Sequence, residues 1–167
     1  YYTSLFDKAE VSDGEGNVTS PAVPGAVSSL KAGETLTLLK DEEISGVASG
    51  KYEAAGTFAL DGSAVFNMNG KTVKVTTAAA NAYAFRVASG KLTVQGGTLD
   101  VSEKGGAWRV NAGAELVLTG AHHASAKYAT VDCYGGIKAD AGVTLENCGD
   151  SNAVWGGGNQ FTYMTLD

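Results

Sequence analysis

Arg86 and Arg109 are the only arginines in the chain, and each lies four residues before a glycine, Gly90 and Gly113. Lys138 stands the same four residues before Gly142. Three basic side chains in one repeated position suit the capture of an anion such as a uronate, a sulfated glycan or a phosphate. Guanidinium groups hold such oxyanions through paired, charge-assisted hydrogen bonds. The same positions suit solvated strand sites whose charges are balanced by Asp or Glu on a neighbouring face.

Other residue types with chemical potential are scattered. Trp155-Gly156-Gly157-Gly158-Asn159-Gln160 joins an aromatic ring to two side-chain amides, as sugar sites do, with a core Trp beside a turn as the alternative. His122 and His123 are adjacent, so on extended chain they point to opposite faces and do not share a metal. They read as an exposed pair in an insertion. Calcium asks for several converging carboxylates and glycoside hydrolysis for a matched pair. Asp100, Asp132, Asp140, Glu146 and Asp150 fall at unrelated repeat positions, with only Asp132 and Asp150 candidates for approach. No catalytic residue, metal site or cofactor is therefore assigned. Cys133 and Cys148, 15 residues apart, are either a disulfide or two small buried hydrophobes.

The elements that would position these groups come from one phrase written twice. Phe85-Arg86-Val87-Ala88-Ser89-Gly90-Lys91-Leu92-Thr93-Val94 is matched by Trp108-Arg109-Val110-Asn111-Ala112-Gly113-Ala114-Glu115-Leu116-Val117-Leu118. Each copy holds an aromatic–basic–Val triplet, a turn closing on Gly, and an apolar–polar alternation of the period expected for a strand with one buried face. Fainter copies put marker glycines at Gly33, Gly62, Gly90, Gly113 and Gly142, separated by 29, 28, 23 and 29 residues. Strand-and-turn repeats of that length specify a β-solenoid. The expectation is an all-β parallel β-helix of about five coils over 30–167, with 1–29 as an irregular cap or connector.

Expected inward residues are Leu36, Leu38, Leu39 and Ile44; Phe58, Leu60, Phe66, Met68, Val73 and Val75; Phe85, Val87, Leu92, Val94, Leu99 and Val101; then Trp108, Val110, Leu116, Leu118, Ile137, Leu145 and Val154. Asn147 takes a position where an apolar residue is expected, as Asn does in side-chain amide ladders. Segments 45–56, 102–107 and 119–132 read as inter-coil loops.

The chain has 167 residues with 23 Gly and only 2 Pro, which suits many tight turns rather than disorder. A net charge of −6 argues against nucleic acid or an anionic membrane as partner, and no apolar run is long enough for a spanning helix. The start at Tyr1 without Met, and an ending at Phe161–Asp167 that resembles a strand cut short, lead us to expect a piece of a longer protein.

The phrases Thr35-Leu36-Thr37-Leu38-Leu39-Lys40-Asp41, Phe66-Asn67-Met68-Asn69-Gly70-Lys71-Thr72-Val73 and Leu92-Thr93-Val94-Gln95-Gly96-Gly97-Thr98-Leu99 resemble the right-handed parallel β-helix repeats of large surface proteins from Gram-positive, often gut-dwelling bacteria, which implies a right-handed parallel β-helix here. The resemblance spans about 30–147 and extends in architecture to phage fibres and pectate-lyase-like enzymes. It implies an extracellular, cell-surface or virion-borne location and carries over no catalytic residue. The expected role is a non-enzymatic structural and presentational module: a stalk, adhesin or fibre component that meets a host or glycan surface. Homo-trimers or neighbouring subunits are the expected partners. The alternative is a polysaccharide lyase or glycoside hydrolase acting on an acidic glycan.

Overall fold

Short apolar–polar alternations separated by Gly-rich turns cannot bury their apolar faces alone, so each strand needs the next coil above it. The computed structural model describes residues 9–13, 15, 18–19, 26–45, 53–157 and 163–166. In chain order its strands are β1 (Ala9–Ser12), β2 (Val18–Thr19), β3 (Thr35–Leu38), β4 (Glu42–Ser45), β5 (Glu53–Asn67), β6 (Thr72–Thr76), β7 (Tyr83–Gln95) and β8 (Thr98–Val101). They continue as β9 (Gly106–Val110), β10 (Glu115–Thr119), β11 (His123–Ala126), β12 (Val131–Cys133), β13 (Gly136–Ala139), β14 (Thr144–Asn147), β15 (Val154–Gly156) and β16 (Tyr163–Leu166). One helical turn, Ala26–Ser29, is the only helix among the described residues.

From β3 onward every strand pairing is parallel, which makes the chain an all-β solenoid of about four turns. Three faces repeat. The first stacks β3, the second half of β5, the second half of β7, β10, β13 and β16. The second stacks β4, β6, β8, β11 and β14. The third stacks the first halves of β5 and β7, then β9, β12 and β15. At the edge of the first coil β1 runs antiparallel along β3.

Inward columns follow from the register. Leu36, Phe66, Val94, Leu118 and Ala139 lie over one another on the first face. Val73, Leu99, Ala124 and Leu145 do so on the second. Phe85, Trp108, Val131 and Val154 do so on the third. Between the columns the rings of Phe58, Phe66, Phe85 and Trp108 form an aromatic cluster. Phe85 stacks on Trp108 at 5.0 Å, and Phe58 and Phe66 approach at 5.6 Å. Such contacts add about 0.5–1.5 kcal/mol per pair beyond area burial.

The structure corrects several expectations. Leu39 is 43 % exposed, because the chain turns outward after Leu38. Leu145 and Val154 are only half-buried, since no further described rung covers β14 and β15. The 45–56 segment already enters β5 at Glu53, with 46–52 outside the described residues. Likewise 102–107 runs into β9, and 119–132 contains β11 and most of β12. Asn147 does lie in an inward column, over Ala126. It forms no amide ladder, for its Oδ1 accepts from the Gly149 and Ser151 amides and its Nδ2 donates to Tyr128 O.

The last coil is also registered differently. Thr35, Val65, Thr93, Val117, Lys138 and Thr165 form one line, so Lys138 stacks on Val117 of the first face. The strand that succeeds Trp108-Arg109-Val110 is Val131-Asp132-Cys133. The glycine before β13 is Gly135, while Gly142 precedes β14 and abuts the Gly120 carbonyl. Gly135 and Gly142 each stand before a strand, so glycine spacing alone takes the second-face turn for the first-face one.

Gly90 sits at φ +73° with a substituent Cβ 2.5 Å from Gly62 O and 2.6 Å from Leu60 Cβ, whereas Gly113, at φ +80°, faces open space. Gly113→Ala is expected to cost about 1–2 kcal/mol through backbone strain alone. Gly90→Ala, which adds overlap with the preceding coil, is expected to cost at least about 3 kcal/mol in chemical denaturation.

Candidate functional site

Outward positions of the third face form one column along the axis: Thr57, Arg86, Arg109, Asp132 and Trp155. Period-two alternation puts these side chains outside while Val87, Val110 and Cys133 turn in. The column brings Arg86 and Arg109 together on neighbouring strands, spaced about 4.8 Å as in any sheet. It does not include Lys138, and the rung expected to carry a third cation carries a carboxylate.

That carboxylate organises the site. Asp132 Oδ2 accepts from Arg109 Nη1 at 2.9 Å and from the Tyr83 hydroxyl at 2.9 Å, and the Asp132 side chain is 2 % exposed. Tyr83 lies on β7 and reaches past β9 to β12 because the strand between them offers Gly106, whose missing side chain leaves room for the ring. The Arg109 guanidinium also lies 5.8 Å from the Tyr83 ring centroid and 4.9 Å from that of Tyr134. Cation–π contact and the ion pair together fix the Arg109 fork in one orientation. Burial raises the Asp132 carboxyl above its ordinary range against the opposing pull of the Tyr83 hydroxyl and the Arg109 charge. Burial, with the adjacent carboxylate, raises the Tyr83 hydroxyl strongly. Asp132 Oδ1 is buried and takes no hydrogen bond from the described residues.

Beside the column, at the corner between the third and first faces, Ala88, Arg109, Asn111, Ala112 and Tyr134 line an open depression of about 410 Å³. Tyr134 meets Trp155 edge to face at 6.0 Å and 87°. Trp155 is 45 % exposed, so it belongs to the surface and not to the core. Asn159 and Gln160, expected to work with it, lie outside the described residues. Tyr83, Asn111, Asp132 and Tyr134 were missed as site residues by sequence reasoning. The placement of Asp132 was legible only through the correct register.

The remaining candidates are distributed. His122 is fully buried, contrary to the exposed pair expected, because the turn after Gly120 directs it inward beside Trp108, at 6.2 Å between rings. Its Nδ1 faces Gly96 O at 2.9 Å; a carbonyl can only accept, so Nδ1 carries the proton and Nε2 is a bare acceptor without a partner among the described residues. Burial is the main cause of a lowered His122 pKa, with the Gly96 carbonyl pulling it up and His123 pushing it down. His123 points the other way and meets Glu146 at 3.0 Å. Cys133 and Cys148 are unbonded: Cys133 faces the core from β12, while Cys148 is exposed beyond β14 on the second face. Burial pushes the Cys133 thiol up to about 11. Among the described residues no group of three or more His, Cys, Asp or Glu could hold a metal ion.

Comparison with known proteins adds no relative. No family model, curated protein or solved structure matches the chain.

Removing the shared acceptor tests the network. Asp132→Ala is expected to cost about 2–4 kcal/mol, and less in a Tyr83→Phe background, with a coupling of about 1 kcal/mol from a double-mutant denaturation cycle. His122 gives a pH signature. Its folded pKa is depressed, so its contribution is intact above about pH 7 and is lost as pH falls below the ordinary value near 6.5. His122→Gln is expected to flatten that part of the Tm–pH profile, measured by thermal denaturation between about pH 7 and 5.

Proposed function

We propose that the chain is a right-handed parallel β-helix of about five coils that acts as a non-enzymatic structural and presentational module of an extracellular, cell-surface or virion-borne protein. What supports this best is the axial stacking of the third face, in register from β7 through β9 and β12 to β15 and joined by β5 across a bulge. That register carries one outward column over β5, β7, β9, β12 and β15 and leaves an exposed Trp155 at its end. Such a column is a rigid strip on which a host or glycan surface can be met at several successive coils. Neighbouring subunits or domains, including a homo-trimer, are the partners this architecture accommodates.

The placement of the carboxylates favours presentation over catalysis. Asp132 is engaged by Arg109 and Tyr83 on the third face, and Asp100 and Glu146 lie on the second, held by Ser102 and His123. A lyase or hydrolase needs its acids, bases and any cation to converge on one sugar unit.

Incubation with polygalacturonate and with neutral polysaccharides, followed by product analysis, tests the assignment. The polymers are expected to be recovered at full length. Unsaturated uronides or new reducing ends, from protein freed of contaminating enzymes, would overturn it in favour of the enzyme.

A further inference from the structure

We infer that the corner depression beside Arg109 binds a neutral sugar chain, with a pyranose ring against Trp155 and Tyr134 and its hydroxyls on Asn111 and Arg109. The inference rests on the surface-contact role proposed above and names its ligand class. A pyranose has an apolar C–H face and a rim of hydroxyls, so its sites combine an aromatic surface with a few fixed donors and acceptors. The depression supplies both kinds. It is lined by the small Ala88 and Ala112, by Tyr134 and Arg109, and by Asn111, whose amide offers both a donor and an acceptor. At about 410 Å³ it falls in the size range of ligand sites, and being open at the surface it suits a unit within a longer chain.

The groups are held before any ligand arrives. Trp155, 45 % exposed, is braced by its edge-to-face contact with Tyr134 at 6.0 Å. Arg109 is braced by Asp132 and by two tyrosine rings. Pre-set side chains lose little freedom on binding, which matters most for weak ligands such as sugars.

The charge balance selects a neutral sugar over a uronate. The Arg109 charge is countered at 2.9 Å by an Asp132 that is almost wholly buried, and Arg86, one rung away, does not line the depression. Hydroxyls both donate and accept, whereas a carboxylate only accepts and brings a charge like that of Asp132.

The test is an NMR titration of the whole chain with oligosaccharides of β-1,4-glucan, galactan and mannan, and with oligogalacturonate. We expect at least one neutral oligosaccharide to bind with Kd of about 1 mM, shifting resonances of Trp155 and Asn111, with an affinity that added salt leaves unchanged. Trp155→Ala and Asn111→Ala, both at solvent-accessible positions, are each expected to weaken it about tenfold, while Trp155→Phe retains most of it. Neutral binding that neither alanine variant alters places the sugar elsewhere and overturns the site, leaving the surface-contact role standing. Preference for oligogalacturonate with a steep salt dependence overturns the neutral assignment in favour of an anion stripe. Absence of binding by every probe at about 10 mM overturns the site, and the product analysis above judges the broader role independently.

Discussion

Parallel stacking of each strand on its counterpart one coil away is the constraint from which the rest of this structure follows. A backbone N–H and C=O that point along the axis must find partners in the next coil, and once they do, every side chain inherits a fixed neighbour above and below. An inward position then becomes a column and tolerates only what the column can pack. Phe85 over Trp108, and Leu92 over Leu116, are consequences of that ladder. So is the close approach of Gly90 to Leu60 and Gly62, where only a residue without a Cβ lets consecutive corners nest.

On the second face two inward positions of the outermost described rungs are polar. Glu42, 5 % exposed, occupies the inward position next to Val73 at one end, and Asn147 occupies the inward position next to Ala126 at the other. His122 is a third polar intrusion, placed mid-stack against Trp108 with one ring nitrogen satisfied by Gly96.

Outward columns obey the same ladder with different chemistry. Two arginines on adjacent rungs repel, and the sheet answers by placing Asp132 on the next rung and by letting Tyr83 cross a glycine gap to hold it. The result is a strip in which Asp132 offsets one of the two arginine charges, with aromatic rings at its corner. A simple basic ladder of Arg86, Arg109 and Lys138 would have presented a positive field; the register replaces it with fixed hydrogen-bond donors beside Tyr134 and Trp155.

The order of residues by itself determined the architecture. Period-two alternation, turn glycines and repeat spacing name the strands and most of their inward residues, and Gly33, Gly90 and Gly113 indeed take φ of +83°, +73° and +80°. These are local properties, set within a strand or a turn of a few residues. Tertiary structure alone decided which strand neighbours which in the last coil. It also decided that Asp132 serves Arg109, that Tyr83 spans two rungs, that His122 is buried and that Cys133 and Cys148 lie on different faces. The physical reason is that a turn glycine looks alike on every face. Gly135 stands before β13 and Gly142 before β14, and only the hydrogen-bonded ladder puts Ile137 on Leu116 and Leu145 on Ala124.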